Sequence, residues 1–177
     1  MPKHYQKTKT MVMVAMLIAL EIVVTRFLSF QTLGVRIGLG FVPTSMCAML
    51  FGPYIAGAAA FLSDFLGVMI NSRGGVYFWG YGLSQILYGL SYGLFLYKKE
   101  KSFRRIIPCV LLQEIIIGIG LQSLWLKLAF VPQKAPLAII ISQLPQSIVM
   151  APIKIIMIKL IWQYAGKYIE NNILHTK

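Results

Sequence analysis

A few ionisable residues in long apolar runs are the best candidates for chemistry in this chain. Arg26, Asp64 and Glu114 lie within such runs or at their edges. A charged side chain near the centre of a bilayer costs about 2.5 to 3.5 kcal/mol on insertion scales, so such groups are kept where they pair or face a polar cavity. We therefore expect a helical bundle that encloses a polar pocket large enough for a ligand.

Polar residues at helical spacing predict which faces line that pocket. Asp64 and Asn71 fall on one face of a helix, and Glu114, Gln122 and Trp125 fall on one stripe of another. A carboxylate and an amide can pair with the polar edge of a flat heterocycle, and an indole can stack on its face. Further candidates from two other apolar runs are Gln85 and Gln143. The alternative interpretation is that these side chains make hydrogen bonds between neighbouring helices.

The elements that must hold these residues are membrane-spanning helices. The chain has 177 residues, of which 58% are hydrophobic and 12% are charged, and its mean hydropathy is +0.72. Soluble domains have about 25% charged residues. The sequence therefore predicts an all-α integral membrane protein with a single membrane domain over residues 1–177, in which Pro145 and Pro152 interrupt the last span. The expected six-transmembrane-helix bundle has spans at about 10–30, 38–51, 54–70, 79–97, 106–129 and 137–164.

The distribution of lysine and arginine predicts the orientation in the membrane. With six spans both termini lie on one side, and that side carries ten cations, against three in the opposite loops. Cytoplasmic loops carry the excess of lysine and arginine. We therefore expect a multi-pass protein of the plasma membrane with both termini in the cytoplasm and with outward loops at about 31–37, 71–78 and 130–136.

Three arginines, Arg26, Arg36 and Arg73, then lie near the outer surface, where the same bias disfavours cations. Because a guanidinium binds a carboxylate with two parallel hydrogen bonds, Arg26 and Arg36 favour an anionic ligand. Arg26 could instead snorkel, or pair with Asp64 or Glu114. By contrast, we expect Lys154 to snorkel toward the cytoplasmic side.

Several functional classes are disfavoured by what the sequence lacks. The only histidines are terminal, and Cys47 and Cys109 lie in apolar runs without metal-ligand spacing, which predicts that both are small core residues. The phosphate-binding pattern GxxxxGK[ST] does not occur. The net charge of +12 comes from residues that flank apolar segments rather than from a basic domain. We therefore expect no catalytic site, no metal, no cofactor and no nucleic-acid partner.

Short segments of the chain resemble one family of membrane proteins. The small size and six-span layout, with Ala15–Ala19 in the first span, resemble the substrate-binding (S) components of energy-coupling factor (ECF) vitamin transporters. Four segments are similar to the folate-specific branch of that family: Thr25–Ser29, Val35–Pro43, Phe51–Pro53 and Ser63–Gly67. The similarity covers most of residues 10–97, whereas residues 100–177 match in layout more than in motif.

The resemblance implies a role in vitamin uptake and a set of partners. Such proteins bind a vitamin near the outer face and associate with a transmembrane coupling subunit and two ABC-type ATPases. ATP hydrolysis is therefore expected on the partner subunits and not on this chain. The resemblance also implies that Ala15 and Ala19 contact the coupling subunit, and that toppling of the S component in the bilayer carries the vitamin inward.

For a folate ligand the resemblance suggests a role for each candidate residue. The pterin ring would pair with carboxylates and amides at Glu114, Asp64, Gln122 and Asn71. The flat ring would stack on Trp125 or Trp79, and the glutamate carboxylates would bind Arg26 or Arg36.

Other functions stay open on the sequence alone. An S component for thiamine, riboflavin or a cobalamin precursor would share the same layout, and a binding panel would separate these ligands. A lipid-active membrane enzyme would need acids or histidines clustered at one depth. A stand-alone transporter or channel would take up its ligand without ATPase partners.

Overall fold

The computed structural model describes residues 3–27, 29–32, 35–71, 77–130, 133 and 135–169, with the backbone alone at 3–6, 30–32, 35–37, 130 and 165–167. Over these residues the chain forms six helices and one short hairpin. Four of the helices are regular: α1 (Lys3–Phe27), α2 (Phe41–Phe51), α3 (Pro53–Ile70) and α4 (Trp79–Leu96).

The two remaining helices combine α-helical turns with wider π-helical turns. Helix α5 comprises Phe103–Leu112, Gln113–Leu121, Gln122–Trp125 and Leu126–Phe130, of which the second and fourth segments are π-helical. Helix α6 comprises Pro136–Ile161, the π-helical Trp162–Gly166 and Lys167–Ile169. The prediction that Pro145 and Pro152 interrupt the last span is wrong, because α6 continues through both. In a bundle, neighbouring groups can satisfy the backbone carbonyls that a proline frees.

A two-stranded hairpin follows α1 where the sequence indicated only a break between spans. Strands β1 (Phe30–Thr32) and β2 (Val35–Ile37) are antiparallel, and Gln31 pairs with Arg36 in their register. We call this end of the bundle, where α1 and α3 end and α4 and α6 begin, the hairpin end. The opposite end, which includes the turn between α4 and α5, is called the terminal end.

The apolar core fills the half of the bundle nearer the terminal end. It includes Leu96 at the end of α4, Ile106 near the start of α5 and Ile158 in the last part of α6. Helices α3 and α4 approach closely there, because a Cβ atom on Gly89 would lie 2.6 Å from the backbone of Ala56. The prediction for the two cysteines is confirmed, since both Cys47 and Cys109 are free and buried. The half nearer the hairpin end is thus left for a cavity.

The outer surface of the bundle is suited to lipid. Large apolar side chains such as Met16, Leu128 and Ile148 are about two-thirds exposed. Within the described part of the chain, four helices are long and apolar enough to cross a membrane by length and composition: Lys7–Phe27, Pro53–Ile70, Phe103–Ala129 and Pro136–Tyr164. Helix α2 is apolar but has only 11 residues. The all-α fold class is therefore confirmed, whereas the division into six spans stays a prediction.

Candidate ligand-binding cavity

A cavity of about 580 Å³ lies within the bundle toward its hairpin end. Among the residues that the structure describes, three acidic and two basic residues line it. These five ionisable residues come from α1, α3, α5 and α6: Glu21, Arg26, Asp64, Glu114 and Lys154. The cavity is large enough for a drug-sized ligand and combines both signs of charge.

One ion pair joins α1 to α3 near the hairpin end. Arg26 Nη2 lies 3.4 Å from Asp64 Oδ1 and donates to the backbone oxygen of Asp64 at 3.3 Å. Gly67 makes room for the arginine, because a Cβ atom there would lie 2.7 Å from Arg26 Nε. Of the alternatives for Arg26, the structure therefore shows pairing with Asp64.

A second ion pair joins α5 to α6 deeper in the bundle. Lys154 Nζ donates to Glu114 Oε1 at 2.5 Å, and both side chains are buried. The ammonium also lies 5.2 Å from the ring centroid of Tyr88 and 5.9 Å from that of Phe41. The expectation that Lys154 snorkels is wrong, because a buried carboxylate 40 residues away in sequence offers it a partner inside the bundle.

Glu21 is a cavity acid to which the sequence assigned no ligand role. Its carboxyl group is buried on α1, and the hydroxyl groups of Ser63 and Thr44 lie beside it. The signal that could have identified it is its position in the first apolar run, one and a half turns before Arg26.

A stripe of polar and aromatic side chains lines the cavity from α4. Tyr81, Gln85, Tyr88 and Tyr92 recur every three or four residues and all face the cavity. Sequence reasoning selected Gln85, with Tyr81 as a second candidate, because tyrosine in membrane helices is usually an interfacial or packing residue. The tyrosines recur at helical spacing on the same face as Gln85, and this pattern could have identified the whole stripe as part of the cavity wall.

Two phenol groups in the wall of the cavity are available to a ligand. The hydroxyl oxygens of Tyr77 and Tyr92 are buried and have no hydrogen-bond partner among the described residues. Tyr77 lies before the start of α4, and burial together with the nearby Asp64 carboxylate raises its pKa above the usual value of 10. The Tyr77 phenol is therefore a hydrogen-bond donor at neutral pH.

The predicted site residues divide into those that line the cavity and those that do not. The residues that line it are Arg26, Asp64, Gln85, Glu114, Gln122 and Gln143. Trp125 lies behind the wall, where its indole nitrogen donates to Ser84 Oγ at 3.0 Å. Trp79 is 67% exposed and packs beside Phe65. Asn71 caps the end of α3 through its backbone, and Arg36 lies on β2, where the structure describes the backbone alone.

A GxSxG pattern at Gly89–Gly93 does not form a nucleophile site. Such a nucleophile sits at a sharp turn between a strand and a helix, whereas this segment lies inside α4. Ser91 is buried, and its hydroxyl accepts a hydrogen bond from Gln113 Nε2 at 2.6 Å. The serine therefore joins α4 to α5.

Comparison with known proteins places the fold in a family. The family model described as "ECF transporter, substrate-specific component" matches residues 9–162. A protein named folate transporter FolT from Clostridium novyi (strain NT) is 37% identical over 162 residues, which are 92% of each chain. A protein of the same name from Leuconostoc mesenteroides subsp. mesenteroides is 32% identical over 124 residues, which are 70% of this chain and 66% of that protein.

A solved structure is similar over most of its length. It is described as "Crystal structure of FolT bound with folic acid", and it matches with a TM-score of 0.77 at 35% sequence identity. The match covers 84% of this chain and 88% of that chain. From these matches and its helical fold, this chain belongs to the substrate-specific components of ECF transporters, a family of membrane transporter subunits rather than of enzymes.

Proposed function

We propose that this chain is the folate-binding subunit of an ECF-type ABC importer. The observation that carries the proposal is similarity over nearly the whole chain to a protein named folate transporter and to a structure described as bound to folic acid. The cavity supports the proposal independently, because it combines the charges and aromatic rings that a flat, acidic nutrient requires.

The amides and carboxylates of the cavity suit the two ends of folate. The pterin ring has a polar edge that can pair with Glu114 and Gln122, and the amide groups of Gln85 and Gln143 extend this polar wall. The glutamate tail carries two carboxylates, for which Arg26 at the hairpin end is the binding group. The ligand would therefore lie with its ring deep and its tail near the opening.

The remaining predicted roles are adjusted by the geometry. Asp64 contacts Arg26. We therefore propose that Asp64 orients the guanidinium group and does not contact the pterin ring. Stacking on Trp125 or Trp79 is less favourable than stacking on Phe78, which lines the cavity and has its ring 5.8 Å from that of Trp125. Contacts from Arg36 and Asn71 would require the loops at the hairpin end to close over the ligand.

Coupling to ATP hydrolysis would come from partner subunits. Ala15 and Ala19 are exposed on one face of α1, and such small side chains allow another helix to approach closely. We propose that this face binds the transmembrane coupling subunit, which in turn binds two ABC-type ATPases. With both termini in the cytoplasm, the hairpin end faces outward and receives folate from that side.

Calorimetric titration of the purified chain in detergent tests the ligand. Folate, thiamine and riboflavin are titrated separately into protein from which any co-purified ligand has been removed by unfolding and refolding or by exhaustive exchange. We expect folate to bind with one site per chain and the other two vitamins to give no heat of binding. Saturable binding of thiamine or riboflavin without binding of folate would contradict the proposal.

A further inference from the structure

A second concavity, of about 640 Å³, lies at the terminal end of the bundle, where the turn between α4 and α5 meets α6. Four of the seven residues that line it are lysines, and one is acidic: Lys98, Lys99, Glu100, Lys101, Ser102, Lys159 and Trp162. The concavity is separate from the ligand-binding cavity, and no described residue lines both.

Neutral groups hold several of these lysines in place. Lys99 Nζ donates to the carbonyl oxygen of Leu94 at 2.8 Å, and Lys159 Nζ donates to that of Lys101 at 2.9 Å. The ammonium of Lys101 lies 3.7 Å from the ring centroid of Trp162. The two carbonyl oxygens orient the ammonium groups of Lys99 and Lys159 without cancelling their charge. The concavity thus presents oriented positive charge.

The backbone of the turn also directs these lysines. Lys98 has a φ of 51°, in the left-handed region that residues other than glycine rarely adopt. This conformation places successive lysines around the concavity immediately after α4 ends at Leu96. It has a cost in free energy that a stabilising ligand contact can offset.

Apolar and aromatic side chains surround the concavity. Leu94 and Phe103 are exposed beside it on α4 and α5, and Lys159 lies 5.5 Å from the ring centroid of Phe103. The concavity therefore lies where the apolar helices end, which is the depth of the lipid headgroups in a bilayer. A ligand that is anionic at one end and apolar at the other matches this arrangement.

We propose that this concavity binds the phosphate headgroup of an anionic phospholipid. The lysines contact the phosphate, and the rings of Trp162 and Phe103 contact the glycerol backbone and the first methylene groups of the acyl chains. An acidic loop of a partner protein fits less well, because exposed apolar side chains such as Leu94 and Phe103 lie beside the lysines and match acyl chains better than an acidic peptide. The bound lipid would hold this end of the bundle in the headgroup layer.

Native mass spectrometry of the purified chain tests the proposal through two matched double variants. Lys98→Gln/Lys159→Gln removes two charges from the concavity, whereas Arg104→Gln/Arg105→Gln removes two exposed charges from the neighbouring turn of α5 outside it. Each protein is titrated with phosphatidylglycerol, with phosphatidylcholine and with inorganic phosphate. Thermal unfolding, measured in parallel, establishes that both variants are folded.

We expect phosphatidylglycerol to bind the native chain in preference to phosphatidylcholine. The lysine variant should bind it about 30-fold more weakly, since each lysine near an anionic headgroup contributes a factor of about five in affinity. The arginine variant should bind it as the native chain does.

Three results would overturn the proposal. If the lysine variant binds phosphatidylglycerol as tightly as the native chain does, these lysines are not the lipid's binding groups. If both variants lose affinity for it to the same extent, the lipid is attracted by net charge and not by a specific site. Inorganic phosphate that competes at the same concentration as phosphatidylglycerol would identify an anion site that does not recognise lipid. These outcomes are independent of whether folate is the transported vitamin.

Discussion

Arg26 and Lys154 show how single residues keep charge inside an apolar bundle. Each has a carboxylate partner on a neighbouring helix, and each pair forms part of the cavity wall. A buried ion pair costs desolvation free energy and stabilises little by itself. Such pairs in a cavity wall are therefore better explained by ligand binding than by stability.

Replacement of Arg26 by alanine tests its contact with the ligand tail. Removal of a charge-assisted hydrogen bond costs about 1.5 to 3 kcal/mol, so Arg26→Ala should weaken folate binding by about 10-fold to 100-fold. Calorimetric titration measures the change. Pteroate, which lacks the glutamate tail, is the matched ligand, and its affinity should be nearly unchanged. An equal loss for both ligands would show that Arg26 acts on the structure of the cavity and not on the tail.

The pair of Glu114 and Lys154 allows a double-mutant cycle. Lys154→Met alone leaves a buried carboxylate without its partner and should destabilise the chain by about 3 kcal/mol. The double variant Glu114→Gln/Lys154→Met removes both charges and should recover most of that loss. Chemical unfolding of the detergent-solubilised protein gives the free energies. Additive losses in the double variant would mean that the two side chains do not interact.

At the level of the elements, Gly67 allows Arg26 to lie across α3. Alanine at this position would place a Cβ atom 2.7 Å from Arg26 Nε, so the guanidinium must shift. We expect Gly67→Ala to weaken folate binding about tenfold, since overpacking typically costs about 1 to 3 kcal/mol. Gly120→Ala is the control, because among the described residues the nearest atom to a Cβ there is Ile115 O at 3.4 Å, which is ordinary contact. Unchanged affinity in Gly67→Ala would argue against a fixed position for Arg26.

The exposed small-residue face of α1 predicts a separate effect on coupling. Ala15→Trp/Ala19→Trp should prevent association with the coupling subunit while folate binding by the isolated chain is retained. Ala58→Trp provides the control, since Ala58 is an exposed alanine on α3. Co-purification with the coupling subunit and ATPases measures association. Normal association of the α1 variant would place the partner on another face.

Local sequence patterns were sufficient to predict a helical fold but not to predict the contacts between helices. Hydropathy and helical spacing predicted the all-helical fold class, because a helix depends on neighbours within a few turns of the chain. The hairpin after α1 was missed, since its strands have only three residues each. The bond between Lys154 and Glu114 could not be predicted either, because it joins residues 40 positions apart.

The candidate site was predicted only in part, because the sequence shows which residues are polar but not how the helices pack. Acids and amides in apolar runs are conspicuous, and Asp64, Glu114 and Gln122 do line the cavity. Aromatic residues are ambiguous, so Tyr88 was interpreted as a packing residue and Phe78 was overlooked, while Trp79, which is largely exposed, was selected. Which face of an aromatic stripe is buried depends on how the helices pack, and one sequence does not contain that information.

At the scale of the whole molecule, the bundle divides into a packed half and a hollow half. The apolar core at the terminal end holds α3, α4 and α5 together, and the polar cavity occupies the hairpin end. A packed base with a hollow end suits the proposed role of a subunit that binds a nutrient on one side of the membrane.

A structure of this chain determined experimentally with folate bound tests the central claim most directly. We predict density for one folate inside the cavity, with its pterin ring near Glu114 and Gln122 and its glutamate carboxylates within hydrogen-bonding distance of Arg26. Density for folate outside this cavity, or a cavity that stays empty at saturating folate, would contradict the account.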